Sequence, residues 1–289
     1  MYNRGMTFQK QILIIGSLFA VPLFAFALPT ISTFPSPVEQ GQALMIKISG
    51  ATLNDIAKIY VDGKSLWFFN YNGSPTAFYA IDLNAEPGEK KIRVLMEDGS
   101  EVEKTFMINE RQKIEAPLGI PDKLGGNTPE AATSLVTNLG NENSVINSLL
   151  STNKKFWTES FRYPLKYPTV TDSYGYLRKT GYYSIPHKGT DFRAPEGYRV
   201  YAINRGVVKL ARTFTIYGKT VAVDHGLGVI SYYMHLSRID VKEGQTVGKG
   251  QVLGLSGKTG YAESPHLHLS VKINGISIDP NKFISLFQY

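Results

Sequence analysis

Ser264-Pro265-His266-Leu267-His268-Leu269-Ser270-Val271 is the stretch on which the reading of this chain turns. Polar and apolar side chains alternate in it, and a period of two belongs to a strand rather than a helix. On such a strand His266 and His268 project to one side while Leu267 and Leu269 point into a core. The expectation is a mainly β protein in which one strand face carries two imidazoles.

Outward from that strand, all five histidines, His187, His225, His235, His266 and His268, fall in the last part of the chain. His187 and Asp191 form H-x-x-x-D, a second candidate pair. The chain has no Cys, which removes disulfides, thiolate zinc sites and cysteine nucleophiles together. Any metal must therefore bind through His and carboxylates. No H-E-x-x-H occurs, so the glutamate base of the helical zinc proteases is missing. His225, in Asp224-His225-Gly226, is expected to be a turn or surface residue. Gly244, Gly248, Gly250, Gly254, Gly257 and Gly260 lack G-x-x-x-x-G-K-[ST] and recur between short β runs, so they read as turns and not as a phosphate cradle.

The chain has 289 residues, enough for two domains with their own cores. Hydrophobic residues make up 43% and charged residues 19%, which disfavours disorder, collagen and coiled coil. A net charge of +7 suits anionic surroundings but is far below that of a dedicated nucleic-acid binder, and no nucleic-acid partner is expected. At the N-terminus, Arg4 and Lys10 precede an apolar run from Ile12 to Leu28, with Ala25 and Ala27 before Leu28-Pro29. Residues 1–27 read as an export signal cleaved after Ala27, or else as an uncleaved membrane anchor through residues 12–28.

From Thr33 to about Asn109, short alternating runs separated by Asp62-Gly63, Pro87-Gly88 and Asp98-Gly99 predict an Ig-like β-sandwich. It contains no His, and its aromatics Trp67, Phe68, Phe69 and Tyr71 are expected in a core more than in a sugar-stacking platform. It is read as a binding or spacing module. Residues 110–160 shift to Asn, Ser, Thr and Gly and read as a linker, with a short helix beginning at Thr128-Pro129-Glu130 that is expected to be a solvated connector, a plug over the neighbouring site being the second reading. Residues 161–289 form the domain that holds the histidines.

That domain resembles a known family. His187-Lys188-Gly189-Thr190-Asp191, then Tyr233-Met234-His235-Leu236-Ser237, then Pro265-His266-Leu267-His268 are similar, in order, to the three signatures of the lysostaphin/LytM-type zinc metallopeptidases. Ser173-Tyr174-Gly175, Pro195-Glu196-Gly197 and the run Val241 to Gln251 match as well. The resemblance covers about Tyr163 to Pro280. It departs at Ser264, where the family has Gly, and at Arg178, one residue later than in the family's S-x-G-x-R. Both are expected to change the groove rim more than metal binding.

The resemblance implies a LytM-type antiparallel β domain with an open active-site groove. It implies that His187, Asp191 and His268 ligate Zn²⁺, leaving the fourth tetrahedral position open as in catalytic sites. His235 and His266 are then the catalytic histidines. The implied function is hydrolysis of peptide stems or cross-bridges of bacterial peptidoglycan by an exported enzyme in the periplasm or cell envelope. The alternatives are a catalytically inactive wall-binding relative or amidase activator, which would be expected to lack ligands, and a biotinyl-like carrier module at Val241 to Gly254, whose Lys249 has the wrong neighbours.

Overall fold

The computed structural model describes residues 28–287, so the expected export signal or anchor at 1–27 lies outside the described residues. Among the described residues no helix is long and apolar enough to cross a membrane.

The strand Ala43–Ser49 shows how the two halves are joined. Leu44, Ile46 and Ile48 point to one side and are fully buried, as alternation requires. Ala43 and Met45, on the opposite side, are also buried. A strand buried on both faces belongs to a middle layer. It lies in a four-stranded sheet ordered Thr30–Phe34, Ala43–Ser49, Ser74–Ala80, Phe68–Tyr71. One face packs on a five-stranded sheet through Ile59, Val61, Ile92, Val94 and Ile108, closing a two-sheet sandwich. The other face joins the core of the C-terminal domain.

That junction is aromatic. Phe69 and Phe78 of the sandwich meet Trp157, Phe161, Phe283 and Phe287, with centroid separations of 4.7 Å for Phe69 and Trp157 and 5.7 Å for Phe78 and Phe283. Of the expected aromatic core, Phe69 is buried while Trp67 is 52% exposed. Arg111 adds a polar clasp, its Nη2 donating to Asp279 Oδ2 at 2.8 Å. Asp279 Oδ1 in turn caps the helix Pro280–Ser285.

The C-terminal domain is built on an antiparallel sheet. Its order runs Val170–Asp172, Thr190–Arg193, His266–Ile273, Val229–Leu236, Lys219–Gly226, Gly206–Thr213, Thr246–Val247, with Ile276–Ile278 pairing the histidine-bearing strand. Leu267 and Leu269 are fully buried, as the alternation predicts.

Two expectations are corrected. The helix α1, Pro129–Asn147, starts as expected, with Thr128 Oγ1 accepting from Ala131 N, but it is not solvated. Its Ala131, Ala132, Leu135 and Ile146 are buried against the C-terminal domain, and the Glu142 carboxylate accepts Ile216 N at 2.8 Å and Tyr217 N at 3.0 Å. Apolar residues at helical spacing had a surface to bury against that lies far away in sequence. His225 is neither in a turn nor on the surface. It ends the Lys219–Gly226 strand fully buried, with Nδ1 donating to Arg205 O, Nε2 facing Ser231 Oγ at 2.8 Å, and its ring edge-on to Phe161.

Burial pushes the His225 pKa down to about 4, below its ordinary value near 6.5. The folded state therefore refuses a proton that the unfolded chain takes up. The contribution to stability is complete above about pH 6.5 and is lost as pH falls toward about 4, by up to roughly 3 kcal/mol. Urea midpoints measured across that window should fall less steeply for His225→Gln than for the parent chain. Phe78→Ala, which empties the aromatic junction, should cost about 3 to 5 kcal/mol in the same assay. Because the junction is one continuous core, sandwich and C-terminal domain should unfold in a single transition, checked by fluorescence and circular dichroism together.

Candidate metal centre and active site

Cross-strand register brings the first two groups together. The strands Thr190–Arg193 and His266–Ile273 run antiparallel, with Asp191 directly opposite His268. Directly opposed residues share a face, and Asp191 Oδ1 lies 2.7 Å from His268 Nδ1. His187 approaches from the turn before Thr190, its Nε2 3.2 Å from Asp191 Oδ1 and 3.1 Å from His268 Nδ1. All three residues are buried. Gly189 permits this approach, since a Cβ there would stand 2.2 Å from His268 Nε2.

The outer partners assign the tautomers. His187 Nδ1 faces the Ser173 carbonyl at 2.9 Å and must donate to it. Ser270 Oγ donates to Lys188 O at 2.8 Å, so it accepts from His268 Nε2 at 2.9 Å. The nitrogens left to face Asp191 are both lone pairs. Three acceptors within 2.7 to 3.2 Å of one another repel unless they share a cation or proton. Zinc fits: ligands at ~2.1 Å in a tetrahedron stand roughly 3.4 Å apart, a few tenths of an ångström beyond the 3.1 and 3.2 Å separations from His187. His187, Asp191 and His268 form the group that could hold a metal ion among the described residues.

The charges agree with that role. Burial opposes ionisation of Asp191, but the pull of the His187 and His268 imidazoles in their protonated form outweighs it and holds the carboxyl well below the usual carboxylate range, a pull that a bound cation supplies when the rings are neutral. Burial pushes His268 down to about 4 against the pull of Asp191, leaving a neutral ring at pH 7.

His235 and His266 flank the cluster, with ring centroids 4.9 Å apart. His235 lies in the strand Val229–Leu236 at φ 61, a left-handed conformation that non-glycine residues seldom hold without a reason. The turn aims its ring at the cluster, 6.0 Å from the His268 ring, while Nδ1 donates to Thr259 O at 2.9 Å. Its Nε2 is therefore a lone pair, and burial lowers its pKa to about 3. His266 is less buried, donates Nδ1 to Ser264 O at 2.8 Å, and has Nε2 3.9 Å from Asp191 Oδ1. Four of the five histidines thus converge, and His225 is separate.

Arg178 is more than the rim residue expected from its shifted spacing. Its Nη2 donates to Asp191 Oδ2 at 2.7 Å and also pairs with Asp172. It occupies the carboxylate oxygen that does not face the imidazoles. Ser270 could have been found from sequence, being two residues from His268 on one strand face. In the sequence Ser173 and Arg178 stand out only through the family resemblance and Thr259 not at all, because their partners are set by the fold. A cavity of about 430 Å³ opens beside the cluster, lined by His187, His235, His268 and Arg178 and walled by Leu135, Leu139, Asn143 and Ile146 of α1.

Comparison with known proteins places this site. Residues 185–280 match the model of Peptidase family M23. Peptidoglycan DD-endopeptidase ShyA of Vibrio cholerae is 43% identical over 97 residues, 34% of this chain and 23% of that protein. ShyB of the same organism is 36% identical over 126 residues, 42% of this chain and 29% of its own length. The chain thus spans under a third of the curated relatives it matches. A crystal structure from Pseudomonas aeruginosa, provisionally named a peptidase M23, aligns with 87% of this chain and 96% of its own at 28% identity and a TM-score of 0.62. That match contains His187, Asp191, His235, His266 and His268, so residues 185–280 of this chain are similar to peptidase family M23 over the whole candidate site.

Proposed function

We propose that this chain is a zinc-dependent endopeptidase that cleaves peptide stems or cross-bridges of bacterial peptidoglycan, outside the cytoplasm. The observation that carries the proposal is the convergence of His187 Nε2, Asp191 Oδ1 and His268 Nδ1 as three acceptors beside an open cavity, with two further imidazoles at its edge. The relatives named peptidoglycan DD-endopeptidases support the substrate class, and a cell-wall substrate lies outside the cytoplasm.

His187, Asp191 and His268 would hold the ion, which when bound supplies a Lewis acid to polarise a scissile carbonyl and acidify water. Ser173 O and Ser270 Oγ keep the two imidazoles in the tautomers that ligation needs. Arg178 holds the second oxygen of Asp191, so that the first stays aimed at the cluster. His235, neutral because buried, presents Nε2 as a fixed acceptor. His266, more open to solvent, is placed to take a proton from the attacking water and, once charged, to pass it to the leaving amine. A basic chain is steered to an anionic wall, an effect that salt weakens.

Incubation of the purified protein with intact peptidoglycan sacculi, followed by mass analysis of released fragments, tests the function. New peptide termini are expected, and intact sacculi in the presence of zinc-loaded protein would overturn it. Metal content and initial rate, measured side by side, test the roles. His187→Ala, Asp191→Ala and His268→Ala should lose both zinc and turnover. His235→Ala and His266→Ala should keep zinc and lose roughly 10²- to 10⁴-fold in rate. Because a proton on His268 excludes the metal, zinc occupancy should hold at neutral pH and fall as pH drops toward about 4.

A further inference from the structure

The strand that carries His266 and His268 continues at the same period through Ser270 to Lys272. All four side chains therefore share the groove face, and Lys272 stands four residues, roughly 13 Å, along the strand from His268. Lys272 is only 9% exposed. Its ammonium carries three donors, one of which goes to Asn147 Oδ1 at the end of α1, and it lies 5.7 Å from the centre of the Tyr232 ring. Among the described residues no carboxylate comes within ion-pairing distance of it.

A buried cation without an anion is costly, and such a group persists where something supplies the missing charge. The other groups on the cavity wall do not. Arg178 is already neutralised by Asp172 and Asp191. Asp82 turns Oδ1 to its own local backbone at Asn84 N. Lys188 adds a like charge. Burial, helped by Lys188, lowers the Lys272 pKa to about 8, so the ammonium is still charged at neutral pH. Lys272 also marks a passage: with Ile146, Asn147, Tyr232 and Gly275 it lines both the cavity beside the histidine cluster and a second of about 340 Å³ that reaches the exposed ring of Trp67.

We propose that Lys272, framed by Asn147 and Tyr232, is a carboxylate-binding subsite of the groove that anchors a free carboxylate of the peptide substrate. This deepens the endopeptidase reading and rests on it for the identity of the peptide. An extended chain lying along the histidine strand would present that carboxylate about two to four residues from the bond cut at the metal. A substrate with carboxylates along its backbone is held in register by such an anchor, and one whose carboxylates are amidated is not.

The test compares two synthetic cross-linked stem peptides, identical except that the side-chain and α-carboxylates away from the scissile bond are free in one and amidated in the other. The zinc-loaded parent protein should cleave the free-carboxylate peptide with kcat/KM roughly ten- to hundredfold higher, chiefly through KM. In Lys272→Gln the ratio between the peptides should collapse toward one, and in Lys272→Arg it should be largely retained. A residue that only supports the fold would lower both rates together and leave their ratio intact, which overturns the proposal. Equal cleavage of the two peptides by the parent protein overturns it too, without any variant having to fold. Calorimetric titration of both peptides into chelator-treated, metal-free protein separates the two readings. Discrimination in binding without cleavage by the zinc-loaded form keeps the subsite and removes the endopeptidase, whereas cleavage without discrimination does the reverse.

Discussion

The antiparallel register between Thr190–Arg193 and His266–Ile273 is the constraint on which the site depends. It sets Asp191 opposite His268, and the pleat then places both on the groove side while Phe192, Leu267 and Leu269 go to the core. A slip of one residue would exchange those faces, turning Asp191 and His268 into the core and Leu267 and Leu269 to the opposite side, so the hydrophobic core enforces the geometry of the cluster. The His187 loop is drawn in by the same pairing, because only three residues separate it from Asp191 and Gly189 leaves room for the His268 ring.

Around that pair, support is layered by chemical type. Carbonyls and a hydroxyl fix the imidazole tautomers, and a guanidinium fixes the carboxylate. Burial then keeps His235 and His268 neutral while Arg178 pairs with the Asp191 carboxylate, so the cluster stands ready for a cation at neutral pH. The strained backbone of His235 fits the same logic: a conformation that costs free energy is held because neighbouring hydrogen bonds determine it, with His235 N donating to Tyr217 O at 3.0 Å.

The sandwich and α1 act on the site from outside. The middle sheet, buried on both faces, makes the sandwich part of the C-terminal core rather than a loosely tethered module. The helix α1 walls the cavity and delivers Asn147 to Lys272, so the cavity is built from two segments that lie more than a hundred residues apart in sequence.

The sequence by itself determined the β character, the strand carrying His266 and His268, the start of α1 and the candidate residues, because each is written in local period or in residue types with few uses. Alternation needs only neighbours two positions apart, and a Thr-Pro-Glu start needs only one turn. Tertiary structure alone decided the burial of His225, the packing of α1, the Arg178 contact with Asp191 and, among the described residues, the isolation of Lys272 from any carboxylate. Each of these turns on which distant group lies within a few ångströms. Burial and charge balance are properties of an assembled neighbourhood, and no local pattern in the chain encodes them.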